Sequence, residues 1–128
     1  MTKSQYNDPP EIRKKIWVAL SDLYLDTELS RTDFDWISGT FSQSGYSILE
    51  LKEIDMFEVF PLLQPNLLDP AGVWAGFNEE WLIPRCTRYY HKRNNFFHRL
   101  KCQWKNFQHQ WMRKDYWNEI EKRMAAQK

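Results

Sequence analysis

The chain has 128 residues, a net charge of +1 and 42% hydrophobic residues, which is the make-up of one ordinary domain rather than a disordered chain. Two cysteines are too few for a disulfide framework, and no run approaches the roughly 18 apolar residues that a membrane helix needs. Seven Trp, eight Phe and six Tyr supply a core that can form without staples.

The small net charge hides a split. From Ile16 to Glu80 there are twelve acidic residues and two basic ones, Arg31 and Lys52. From Arg85 to Lys114 there are nine Lys or Arg and no acid. Two such halves can attract each other on folding, or present faces of opposite sign to different partners.

Residues 1–7 read as a frayed tail without a signal-peptide core, and residues 8–126 as a single helical domain. Asp8-Pro9-Pro10-Glu11 starts a first helix, with Asp8 as cap and proline in the first turn. Ile12, Ile16, Ala19 and Leu23 form its apolar face, and Arg13, Lys14 and Lys15 its outside. Ser30 or Thr32 caps a second helix carrying Phe34, Ile37 and Phe41, which Gly45 ends in the left-handed conformation. Ser47 and Glu50 form a capping box for a third helix with Ile48, Leu51, Ile54 and Val59. That helix is expected to stop near Phe60, before Pro61, with 61–77 irregular but lying over the core. Asn78 followed by two glutamates starts a fourth helix, with a break or bend expected at Arg93-Asn94-Asn95 before it reaches about Arg113. Asp115 caps a last helix that uses Trp117, Ile120 and Met124. No alternation or hairpin dipeptide signals a strand.

Phe97, Leu100, Trp104, Phe107 and Trp111 recur at spacings of 3, 4, 3 and 4, one stripe of a helix. The stripe is expected to face inward and give the earlier helices a surface to cover. The architecture that follows is all-α, a compact bundle of about five helices with a long aromatic-striped C-terminal helix. Trp104, Phe107 and Trp111 can instead form a homodimer seam.

Three constellations can carry chemistry. His91, His98, Cys102 and His109 fall on one line of the last long helix, opposite the stripe, and His98 and Cys102 are four apart, a spacing that can share a metal. The competing account is a polar line facing solvent, since a third ligand is missing. Arg85, Arg88, Lys92, Arg99 and Arg113 fall on another line edged by Tyr89 and Phe96, a combination that can hold phosphates and stack bases. Its competitor is a solvated face that pairs with the acidic half. Asp22, Asp26, Glu28, Asp33 and Asp35 cluster around the first inter-helix connection. They are an ordinary acidic surface or a docking face for a basic partner. No nucleophile elbow, phosphate loop, H-E-x-x-H or C-x-x-C occurs, so no enzyme activity and no cofactor is expected.

Trp17-Val18-Ala19-Leu20-Ser21, Leu25-Asp26-Thr27-Glu28-Leu29, Ser44-Gly45-Tyr46-Ser47, Pro65-Asn66-Leu67-Leu68 and Ala71 to Leu82 together resemble a family of small bacterial proteins of unassigned function. The resemblance covers about residues 12–83. The family pattern has Glu where Val73 stands and Asp where Asn78 stands. By analogy with small bacterial proteins of this kind, it implies an immunity protein that neutralises a cognate toxin by occluding its surface. The expectation is therefore a cytoplasmic protein-binding module without membrane association. Asp22, Asp26, Glu28, Asp33 and Asp35 are its contact for a basic protein toxin. The alternative is a nucleic-acid binder using Arg88, Lys92, Arg99 and Arg113.

Overall fold

Caps written in the sequence set most of the helix ends. In the computed structural model, which describes residues 8–25, 28–68 and 76–126, α1 spans Glu11–Ser21 and runs into a 3₁₀ turn at Asp22–Tyr24. Pro10, not Asp8, is its N-cap, and no side chain caps it. The proline ring fixes φ at −58° there, while ψ of 148° keeps Pro10 outside the helix. α2, Arg31–Ser44, opens with a reciprocal capping box between Ser30 and Asp33 and closes on Gly45 at φ 81°, a backbone position where a side chain would clash. α3, Ile48–Ile54, starts from the Ser47–Glu50 capping box. α5, Glu79–His91, is capped by Asn78, and α6, Phe96–His109, by Asn95. The break expected at 93–95 is therefore present, and the C-terminal region is two helices instead of one long one. A 3₁₀ turn at Gln110–Met112 leads into α7, Lys114–Ala126. No strand occurs among the described residues.

The third helix does not stop at Phe60. α3 passes through a π-helical turn, Asp55–Val59, directly into α4, Phe60–Leu68. In the π turn the Phe60 N–H reaches back five residues to the Asp55 carbonyl. Pro61 follows at the second position of α4, and Pro65 lies inside it. A proline here removes the N–H that an α-helix would bring to the carbonyl four residues back, Phe57. That carbonyl has another partner: His98 Nε2, on α6, lies 2.8 Å from it. A tertiary donor thus replaces the local one, which is why the local rule of ending before proline fails. Residues 69–75, the rest of the stretch read as irregular, lie outside the described residues.

α3, the π turn and α4 form one rod, so the described residues make six rods where about five were expected. The π turn is its hub, packed against α1, α5 and α6. α2 lies along α7 and also contacts α1. Ile16, Ala19, Leu20 and Leu23 of the first rod meet Ile37 and Phe41, then Leu51, Val59 and Phe60, then Leu82, all fully buried. Trp117 stacks on Phe41 with centroids 5.9 Å apart, and Ile120 closes the layer. Each such side chain contributes about 1.5–3 kcal/mol by leaving water.

α6 is the exception, because the only side chain it buries is Cys102. Its aromatic row faces outward. Phe96, Phe97, Leu100, Trp104 and Phe107, with Trp111 in the following turn, are 54–77% exposed. The inward orientation expected for this row is wrong; of the polar line expected to face solvent, His98 and Cys102 pack on the bundle, His109 is half-buried and His91, on α5, is exposed.

Candidate functional site

The acidic connection is partly spent on the fold. Asp33 accepts the Ser30 N–H and hydroxyl in the cap of α2. Asp35 pairs with Arg123 of α7. Asp22 is half-buried, and that burial, reinforced by nearby Asp33, pushes its carboxyl up to about 6. Glu28 is exposed, and Asp26 lies outside the described residues. The structure therefore brings Asp22 and Asp33 together and turns Asp35 toward its own chain.

The basic line also divides. Arg88 and Lys92 are exposed. Arg99 lies over the Phe57 ring at 4.0 Å and donates to the Arg93 carbonyl at 2.9 Å. Arg113 is not on a surface at all. It is buried, its Nε donates to Asp55 Oδ2 at 2.9 Å and its Nη2 to Asn106 Oδ1 at 2.6 Å. The guanidinium also stacks over the Phe60 ring at 4.5 Å. A side chain held this way cannot reach a phosphate, so Arg113 leaves the nucleic-acid set.

His98 and Cys102 do meet, but not as metal ligands arranged around an ion. A carbonyl only accepts, so the His98 Nε2 facing Phe57 carries the proton. Cys102 Sγ sits 3.5 and 3.8 Å from the two ring nitrogens, against the ring and not along one lone pair. Burial pushes the Cys102 thiol up to about 11, which keeps it protonated at neutral pH. Among the described residues no three His, Cys, Asp or Glu side chains are grouped to hold a metal. His98 also stacks on Tyr89, with centroids 5.5 Å apart.

These contacts explain why α6 is turned inside out. The bundle presents two buried acceptors near it, the Phe57 carbonyl and the Asp55 carboxylate. A buried acceptor without a donor costs about 1–3 kcal/mol, more if charged. The donors come from the polar line of α6 and from the turn after it: His98 for one, Arg113 braced by Asn106 for the other. With that side of the helix committed to the bundle, the ring row has only the outside left.

The row is a large apolar surface. At roughly 150–250 Å² per aromatic side chain and the exposures above, it presents on the order of 600–1,000 Å². The largest apolar patch on an ordinary monomer is about 300–600 Å². Trp104 and Phe107 stack with centroids 6.4 Å apart, and Phe96 meets Phe97 edge to face at 5.5 Å, so neighbouring rings hold one another along the ridge. Trp111 ends the row at the rim of a cavity of about 610 Å³, walled also by Leu49, Met56, Lys52 and Trp117. Leu49 is itself 65% exposed.

Two acids not singled out from the sequence organise the inside. Asp55 and Glu58, both on the π turn, are buried. Asp55 accepts from the Tyr24 hydroxyl, Arg113 Nε and, at 3.3 Å, Trp117 Nε1. Glu58 accepts from Arg13 Nε and Trp17 Nε1, both at 2.9 Å. Arg13, read as an outside residue, is half-buried in this pair and lies over Tyr90 at 4.9 Å. Burial first, then the neighbouring Asp55 charge, raises the Tyr24 phenol well above its ordinary value, so it remains a donor. The available signal was an acid at each of two positions three apart inside the apolar run Ile54–Phe60, since buried acids in such a run demand partners.

No curated protein and no solved structure matches the chain. One family pattern does, over residues 11–123, which includes the inverted helix α6 and α7 as well as the N-terminal stretch that carried the resemblance. The chain belongs to the family described as a domain of unknown function, DUF7079.

Proposed function

We propose that this chain is a protein-binding module whose working surface is the outward ring row of α6. The observation that carries the reading is the exposure of Phe97, Leu100, Trp104 and Phe107 on α6, continued by Trp111 in the 3₁₀ turn after it. Interface centres are enriched in Trp, Tyr and Phe, because rigid rings exclude much water for little lost entropy. The most concrete form of the role remains an immunity protein that covers a toxin's surface. In that form exposed Glu28 and Asp35 are a separate acidic contact for a basic toxin.

Nucleic-acid binding is the second reading, favoured by exposed Arg88, Lys92 and Lys101 together with the capacity of the exposed rings to stack bases. It loses Arg113 to the core and Arg99 to the Phe57 ring.

A photo-reactive phenylalanine analogue at position 107, introduced in living cells, separates the two. The expected product is a covalent adduct with a protein. Adducts with nucleic acid alone, or none above the level seen with the analogue at exposed Trp36, overturn the protein-binding reading.

A further inference from the structure

We propose that the protein in this contact is a second copy of the same chain, joined through α6 in a helix-to-helix seam. The proposal rests on the reading that the ring row binds protein.

The spacing supports it. Alternating steps of 3 and 4 from Phe97 to Trp111 are those of a two-helix seam, where large side chains at the first and fourth places of each heptad interlock with a facing helix. α6 gives about one and a half heptads of such a seam, from Phe97 to Phe107, roughly 15 Å long at 1.5 Å per residue, and Trp111 adds to it from the 3₁₀ turn that follows. The places opposite the seam are Cys102 and His109, on the line that packs on the bundle. Cys102 is buried and His109 half-buried, so each copy holds its seam rigidly outward before association.

The flanks of the seam fit a like partner better than an anionic one. Beside the rings stand Gln103, Gln108 and Gln110, and Lys101 is the one charged neighbour at these flanking places. Neutral amides can face their own copies without repulsion and can pair with one another. A nucleic acid or an anionic lipid surface calls for cations in those places, yet Arg99 is turned onto Phe57 and Arg113 is inside.

Area agrees as well. The row offers on the order of 600–1,000 Å² per copy, and a stable interface takes about 800 Å² from each partner. An isologous pair uses the same patch twice, so the row suffices without a contribution from elsewhere. The acidic connection around Asp22 and Glu28 stays free for a different protein.

Sedimentation velocity on the full chain tests this. The expected result is a species of twice 15.7 kDa that dissociates on dilution. Trp104→Glu with Phe107→Glu is expected to weaken self-association at least tenfold, with unchanged far-ultraviolet circular dichroism, because neither ring belongs to the core. Trp36→Ala, on the exposed side of α2, is the control and is expected to leave the dimer intact. A wild-type monomer at every concentration overturns the proposal, as does a dimer indifferent to the double substitution. Should the double variant lose its helices, a self-adduct of the photo-probe at position 107 in the purified protein supports the seam, and absence of that adduct overturns it. A monomer whose probe still captures another protein in cells removes the second copy and leaves the protein-binding surface standing. Capture of nucleic acid alone removes both.

Discussion

Replacing His98 by Ala removes the tertiary donor that substitutes for the N–H missing at Pro61. The Phe57 carbonyl is then left without a donor inside the bundle, which costs about 1–3 kcal/mol. Loss of the stack on Tyr89 adds about 0.5–1.5 kcal/mol. A total of about 1.5–4.5 kcal/mol is a sizeable share of the roughly 5–15 kcal/mol that holds a domain of this kind. The companion change is Pro61→Ala, which restores an N–H where the helix can deliver it to the Phe57 carbonyl. Alone it costs about 0.5–1 kcal/mol, because the unfolded chain gains freedom. In the Pro61→Ala background the loss from His98→Ala is expected to shrink by about 1 kcal/mol, since the carbonyl now has a local donor. Urea unfolding of the four proteins at pH 8, followed by circular dichroism, measures the cycle. Equal losses in both backgrounds would refute the claim that His98 stands in for the proline's missing hydrogen bond. So would a single-variant loss below about 0.5 kcal/mol.

Arg113→Met leaves the buried Asp55 carboxylate without its ion partner and is expected to lower unfolding free energy by about 3–5 kcal/mol; Asp55→Asn on top of it should restore part of that, and a single-variant loss under about 1 kcal/mol would contradict the buried pair. Asp22 has its folded-state carboxyl raised to about 6 from an ordinary 3.8, so the folded state holds the proton more tightly. Its contribution to stability is fully present below the ordinary value and is lost as pH rises through about 6. Asp22→Asn is therefore expected to stabilise the protein at pH 7.5, with the gap closing toward pH 4. An advantage that stays constant across that range would show that Asp22 is not strained by burial.

Much of the helical frame was legible because caps are local chemistry. Ser30 with Asp33, Gly45, Ser47 with Glu50, and Asn78 each satisfy or release backbone groups within a few residues, so their spacing identifies helix ends. The apolar stripes of the early helices also survived, with Ile16, Ala19, Ile37, Phe41, Leu51 and Ile54 all inside. The errors come from the reverse situation, where distant groups decide. Nothing near Pro61 announces that a histidine 37 places later will serve the Phe57 carbonyl. Nothing near Trp104 announces that Asp55 and that carbonyl draw the polar side of α6 inward. Amphipathicity identified the two faces of α6 but not which one the bundle needs. The candidate site shifted accordingly, from charges around the first connection to rings first read as core. Arg13 and Arg113 moved the other way, from surface charge to partners of buried Glu58 and Asp55, Arg13 half-buried and Arg113 buried.

Hydroxyl-radical footprinting across a dilution series tests most directly whether the ring row is an outer face that another chain covers. Oxidation of Trp104, Phe107 and Trp111 is expected to rise as the protein is diluted, while Trp17, fully buried, stays protected throughout. Rings as protected as Trp17 in a species of 15.7 kDa would mean that they lie in the monomer's own core, and the outward orientation of α6 would be wrong.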